Sequence, residues 1–271
     1  MKNILLSIFL FSVAQNICAQ AGKEMFILYN KDWSQTQNNA TAVYFMQRKD
    51  VNDTTHICRF YQMNGPMIQM ETYRDTALDI RHGLFAWYNL RGDLDSMGTF
   101  YYGQKDKTWD FGFTNATHTL RLTEKYDKNI LKEKIDYVTK KIYKSDGTEE
   151  ILDITSNMES KPDRNGHIES GAQFKNGGLK GWSNYLSKHL KYPSRLMQLT
   201  GMLSDKTVIA GFDISKDGII TSVYILHSCE WSADMEALRV ISESPSWEPA
   251  IRDGKPIDYR HRQSIDYSVV Y

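Results

Sequence analysis

Histidines, acidic runs and cysteines are the side chains of this 271-residue chain whose types could support chemistry, and their spacing limits what each can do. His56, His82, His118, His167, His189, His227 and His261 are scattered, and no two form the short-spaced pair that ligates zinc. The run from Asp213 through Asp217-Gly218 begins like a calcium loop, but Tyr224 stands at the twelfth position, where a bidentate Glu is required. The run therefore reads as a hairpin turn, since Asp-Gly readily takes positive φ. No GxSxG, HExxH or glycine-rich phosphate loop occurs. The expectation is a non-catalytic protein with no cofactor and no metal. Cys58 and Cys229 could pair in an exported protein, or could be two free buried thiols; the spacing leaves both readings open.

The 33 basic and 33 acidic residues leave no net charge, so nothing draws the chain as a whole toward nucleic acid or acidic lipid. Apolar residues at 41% and charged residues at 24% describe a soluble globular chain. The start, MKNILLSIFLFSVAQNICAQA, has the form of a secretory signal peptide cleaved near Ala19 to Ala21. Its apolar run is too short to span a bilayer; an uncleaved anchor is the alternative. Residues 1–20 are set apart as this leader.

Residues 21–143 read as an antiparallel β-meander. ATAVYFMQR, HICRFYQM, IQMETYR, GLFAWYN, MGTFYYG and TWDFGF are aromatic or β-branched runs separated by turn signals such as Asn64-Gly65 and Arg91-Gly92-Asp93. Phe85 and Trp87 recur as Trp109 and Phe111, so GLFAWYNLRGDLDSMGTFYYGQKDKTWDFGF resembles the MORN-variant repeat, with Lys107 where the second unit would carry Gly. These aromatics are expected on one sheet face. EKYDKNILKEKIDYVTKK reads as a solvated amphipathic segment. Residues 144–170 turn polar and form the expected linker.

Residues 171–271 show a clear order. Leu179, Trp182, Leu186 and His189–Leu190 recur at helical spacing, and Pro193 follows. VIAGFDIS alternates, turns at Lys216-Asp217-Gly218 and returns as IITSVYIL. A helix then opens with Ser232 as its N-cap candidate and buries Met235, Leu238 and Ile241 or Ser242. Pro245-Ser-Trp247-Glu-Pro249 ends it, Asp253-Gly254 turns the chain, and Pro256 is expected as the first residue of a long last strand. In PIDYRHRQSIDYSVVY the odd positions are mostly apolar or aromatic and the even ones polar, as in a half-buried strand.

This order, with FKNGGLKGWSNYLSKHLKYP, VIAGFDISKDGIITSVYIL and MEALRVISESPSWEPAIRDGKPID, resembles the C-terminal domain of the TonB energy-transducer family. The chain departs from that family at Ser264, where a Pro is usual, and in lacking a Pro-rich spacer, with only 6 Pro in all. The resemblance implies an α-β-β-α-β domain, so that with the MORN-variant-like antiparallel meander before it the expected fold class is α+β. It implies a periplasmic module that binds an extended segment, such as that of an outer-membrane transporter, by adding it to a sheet edge. Asp258, Tyr259, Arg260, His261 and Arg262 on the last strand are the candidate partner contacts. Membrane association would come only through such protein partners. The alternatives are an envelope scaffolding or homodimerisation protein, or an anchored energy transducer if the leader stays uncleaved.

Overall fold

The computed structural model describes residues 24–112, 120–152, 170–199 and 201–268. The expected leader lies outside the described residues, as does most of the expected linker.

The first half is one antiparallel sheet of twelve strands. They are β1 (Glu24–Tyr29), β2 (Gln35–Thr36), β3 (Tyr44–Asn52), β4 (Thr55–Gln62), β5 (Met67–Tyr73) and β6 (Gly83–Tyr88). β7 (Leu94–Tyr101), β8 (Gln104–Phe111), β9 (Leu122–Asp127), β10 (Ile130–Asp136), β11 (Lys141–Lys144) and β12 (Glu149–Ile151) complete it. From β4 to β12 each strand neighbours its predecessor, β1 joins at the free side of β3, and β2 pairs with β1 at the end of the sheet. That is the expected meander. Tyr102-Gly103 joins β7 to β8 with φ values of 48° and 79°, both left-handed, as a type I′ hairpin needs. The lysine-rich stretch after residue 123, read as an amphipathic segment, is the β9–β10 hairpin, and Lys125 faces Glu133 across it at 2.6 Å. Phe85, Trp87, Trp109 and Phe111 share one face, with Trp87 and Trp109 rings 6.0 Å apart.

The second half contains β13 (Gln173–Phe174), α1 (Gly178–His189), α2 (Ser194–Gln198), β14 (Thr207–Ile214), β15 (Ile220–His227) and α3 (Trp231–Ser242). β16 (Trp247–Glu248), β17 (Ala250–Arg252), β18 (Lys255–Ile257) and β19 (Tyr259–Asp266) follow. A three-stranded antiparallel sheet runs β15-β14-β19. On one of its faces Val208, Ala210, Phe212 and Ile214 are fully buried, and Trp182 of α1 and Trp247 close over Phe212 at 6.1 and 5.4 Å.

Local expectations are corrected in several places. Leu179 is 82% exposed, and the inward residue of α1 is Trp182, stacked on Tyr185 at 5.4 Å. The N-cap of α3 is Glu230, whose carboxylate accepts from Ala233 N–H at 3.0 Å, and Ser232 donates to that same carboxylate. Ala233, Ala237, Val240 and Ile241 form the buried stripe of α3, while Met235 and Leu238 are half-buried. Small alanines let the helix lie close to the sheet. Pro256 is the second residue of β18, and the strand is interrupted at Asp258 before β19 begins.

The meander covers the other face of the three-stranded sheet at β15, so one core contains residues of both halves. Phe45, Met67, Tyr88 and Met97 cluster with Tyr224, Leu226 and Ala237. Polar contacts across the layers advance in order. Tyr61 Oη of β4 donates to Asp234 Oδ2 of α3 at 3.1 Å, and Met67 N–H of β5 to Ser228 Oγ at 2.7 Å. Tyr88 Oη of β6 donates to the Ile225 carbonyl of β15 at 2.9 Å, and His227 Nδ1 of β15 meets Asp93 Oδ1, just before β7, at 2.8 Å. Last, Arg260 Nη1 of β19 donates to Asp110 Oδ2 of β8 at 3.3 Å.

Candidate docking edge

β19 is the last strand of its sheet, and β14 is its only ladder partner among the described residues. Tyr267 N–H donates to the Lys206 carbonyl at 3.1 Å, which sets the phase of the ladder. The register then runs unbroken from Thr207↔Asp266 to Ile214↔Tyr259. In an antiparallel pair the backbone groups of successive residues alternate in direction. Tyr259, His261, Gln263 and Ile265 therefore turn N–H and C=O toward β14. Arg260, Arg262, Ser264 and Asp266 turn theirs outward, to the open edge. The side chains of these same four residues are exposed, and the odd ones are half-buried or buried, as the alternation in the sequence predicts.

The five candidate contacts are held differently. Asp258 is exposed ahead of the strand, and its Oδ1 accepts from Lys216 N–H at 2.9 Å. Tyr259 is half-buried with its hydroxyl against Gly171. His261 lies among aromatic rings, 5.0 Å from Phe212 and 5.3 Å from Trp247, and burial pushes its pKa down. Arg260 is anchored: Nε donates to Asp213 Oδ1 at 3.0 Å, Nη1 reaches Asp110, and the guanidinium stands 5.5 Å over the Tyr224 ring. Tyr224 can lie there because its cross-strand neighbour is Gly211, where a Cβ would come within 2.5 Å of the ring. Asp110, 4% exposed in its side chain, also accepts from Thr123 Oγ1 at 2.7 Å. Arg262 is exposed one step further along. Thus Asp258, Arg260 and Arg262 lie along the open side, while Tyr259 and His261 pack inward.

Sequence reasoning missed the groups at the junction of the layers. His227 is held from both ring nitrogens, by Asp93 and by Asp205 Oδ2 at 2.9 Å, beside a cleft of about 690 Å³ also lined by Leu90, Met202 and Ile209. Asp93 and His227 are 134 residues apart, so no local motif announces them. Ser228 and Cys229 follow His227 without forming a nucleophile. Ser228 Oγ donates to Asp234 Oδ2 at 2.6 Å and accepts from Met67, and burial pushes the Cys229 thiol up. Among the described residues no group of His, Cys, Asp and Glu is placed to hold a metal ion. The calcium-like run is the β14–β15 turn, closed by Gly218 N–H to the Ser215 carbonyl at 2.8 Å. Cys58 and Cys229 are free and buried.

No curated protein and no solved structure matches the chain. The segment from the last turn of α1 through β19, which builds the open edge, does match a family: residues 188–269 fit the Gram-negative bacterial TonB protein C-terminal domain.

Proposed function

We propose that this protein is a non-catalytic interaction module of the cell envelope, exported by its leader, that takes up an extended peptide segment by strand addition to β19. An outer-membrane transporter segment is the partner class that the TonB match supports. The observation that carries the reading is the outer side of β19, which no described strand pairs and where Arg260, Ser264 and Asp266 turn backbone donors and acceptors outward. In this mode main-chain bonds supply affinity and alternate side chains supply selectivity. Exposed charges at Arg260, Arg262 and Asp266 also keep such an edge from indiscriminate pairing.

The test is site-specific photo-crosslinking in a Gram-negative envelope, with the photo-reactive residue placed at Arg262 or Ser264 of the full chain. Cross-links to an outer-membrane transporter support the proposal. Cross-links only to a second copy would replace it with the dimerisation reading.

A further inference from the structure

Buried polar atoms without partners concentrate in one place. Among the described residues six buried side-chain nitrogens and oxygens make no hydrogen bond, and four of them belong to Gln47, Arg59, Trp231 and Asp234. These four line the contact between the first turn of α3 and strands β3 and β4. Gln47 and Arg59 are cross-strand partners on the face that carries Phe45 and Tyr61. Trp231 and Asp234 lie about one turn apart on α3. The Trp231 ring stands 6.4 Å from Phe45 and 5.0 Å from Phe26, which is the neighbour of Gln47 on β1, and Asp234 meets Tyr61.

The four atoms are alike in chemistry. Arg59 Nη1 donates to Gln47 Oε1 at 3.2 Å, which leaves Gln47 Nε2 and Arg59 Nε as donors. Trp231 Nε1 can only donate. Asp234 Oδ2 already accepts from Tyr61 and Ser228, and burial raises the carboxyl's pKa, so the proton of the neutral acid sits on Oδ1. Each atom therefore offers a hydrogen. Charge agrees with this. Buried Asp110, Glu230 and Glu236 each meet an arginine. Arg59 is 8% exposed and has no carboxylate within ion-pair distance among the described residues. A guanidinium stays charged, and a buried charge left uncompensated is destabilising.

We propose that this junction is a binding site for a small halide-class anion, chloride, held by Arg59 and Gln47 from the meander and by Trp231 and Asp234 from α3. A halide accepts from several donors at once, donates to none and supplies the charge that Arg59 lacks. A water would bring two hydrogens of its own into a site already made of donors. The bound ion fastens α3 to the meander.

The test is urea unfolding of the full chain in sodium bromide and in sodium gluconate at matched concentrations, gluconate being too large to enter. The midpoint is expected to rise with bromide and not with gluconate. Gln47→Glu places a fixed carboxylate beside Arg59, and Arg59→Met removes the charge; each is expected to abolish the bromide-specific rise. Crystals of the full chain grown in bromide are expected to show its anomalous scattering between Arg59 and Trp231. Equal midpoints in the two salts would overturn the proposal. So would a bromide-specific rise that survives both substitutions, or bromide found only elsewhere on the chain.

Discussion

Asp234 is fully buried between the layers, with Oδ2 accepting from Tyr61 and Ser228. Burial raises its pKa well above the usual carboxylate value; the Ser228 hydrogen bond opposes this and the Glu230 charge adds to it. A carboxyl raised on folding keeps its full stabilising contribution below its unfolded pKa and loses it as pH climbs toward the folded value. Asp234→Asn should therefore gain stability relative to the native chain as pH rises from about 4 to about 9, read from urea midpoints. A native chain that gains on the variant over that range would contradict the assignment. Burial, with repulsion from Glu71, pushes the Cys58 thiol up to about 12, and Cys229 is raised by the same primary cause. Neither thiol should react with a water-soluble disulfide reagent at neutral pH until denaturant unfolds the chain. Labelling of Cys229 in the native protein would show that the layers open, and labelling of Cys58 that its cluster with Tyr29, Met46 and Phe60 does. At this scale the sequence carried little information. Spacing could not decide between a disulfide and two free thiols, and the partners of Asp234 lie 173 and 6 residues away.

At the scale of elements, β19 offers a sharp contrast between adjacent residues. Ser264 N–H points outward, so Ser264→Pro removes no ladder bond and should cost about 1 kcal/mol or less. It should nevertheless weaken capture of an added strand without abolishing it, because it deletes one donor from the open edge. Ile265 N–H points to β14, so Ile265→Pro should cost about 3 kcal/mol or more. Parallel denaturation curves and cross-linking yields separate the two effects; equal destabilisation would mean that the ladder phase is wrong. Ser264 is also where the TonB family usually carries Pro, which agrees with an outward amide there. The alternation of this strand was legible in the sequence because one face is buried and the other is not. Turns that lack glycine were not. Lys128-Asn129 makes the β9–β10 turn with φ of 48° and 69°, and Lys107 takes a φ of 57° where its repeat partner Gly83 takes 110°. Both positions are left-handed, which residue type did not announce at Lys107.

For the whole molecule, the meander and the TonB-like segment complete one another's core. Tyr224 and Leu226 are 3% and 8% exposed because the meander lies over them. Cutting the chain to residues 170–268 would bare that face to water. The fragment is expected to bind hydrophobic dye and to lose its near-ultraviolet circular dichroism, whereas the full chain unfolds in a single transition. A fragment with dispersed, native-like amide signals would show that the two halves are independent. The sequence foretold both sets of elements but not their docking, because the cross-layer pairs join residues between 134 and 173 apart that obey no shared periodicity.

The most direct measurement is residue-resolved amide exchange in the full chain, with and without the periplasmic N-terminal segment of an outer-membrane transporter. Alone, Arg260, Ser264 and Asp266 should exchange fast, and His261, Gln263 and Ile265 slowly. With the segment bound, the fast set should become protected while the slow set changes little. Protection that appears elsewhere and leaves those amides exchanging freely would contradict β19 as the docking edge.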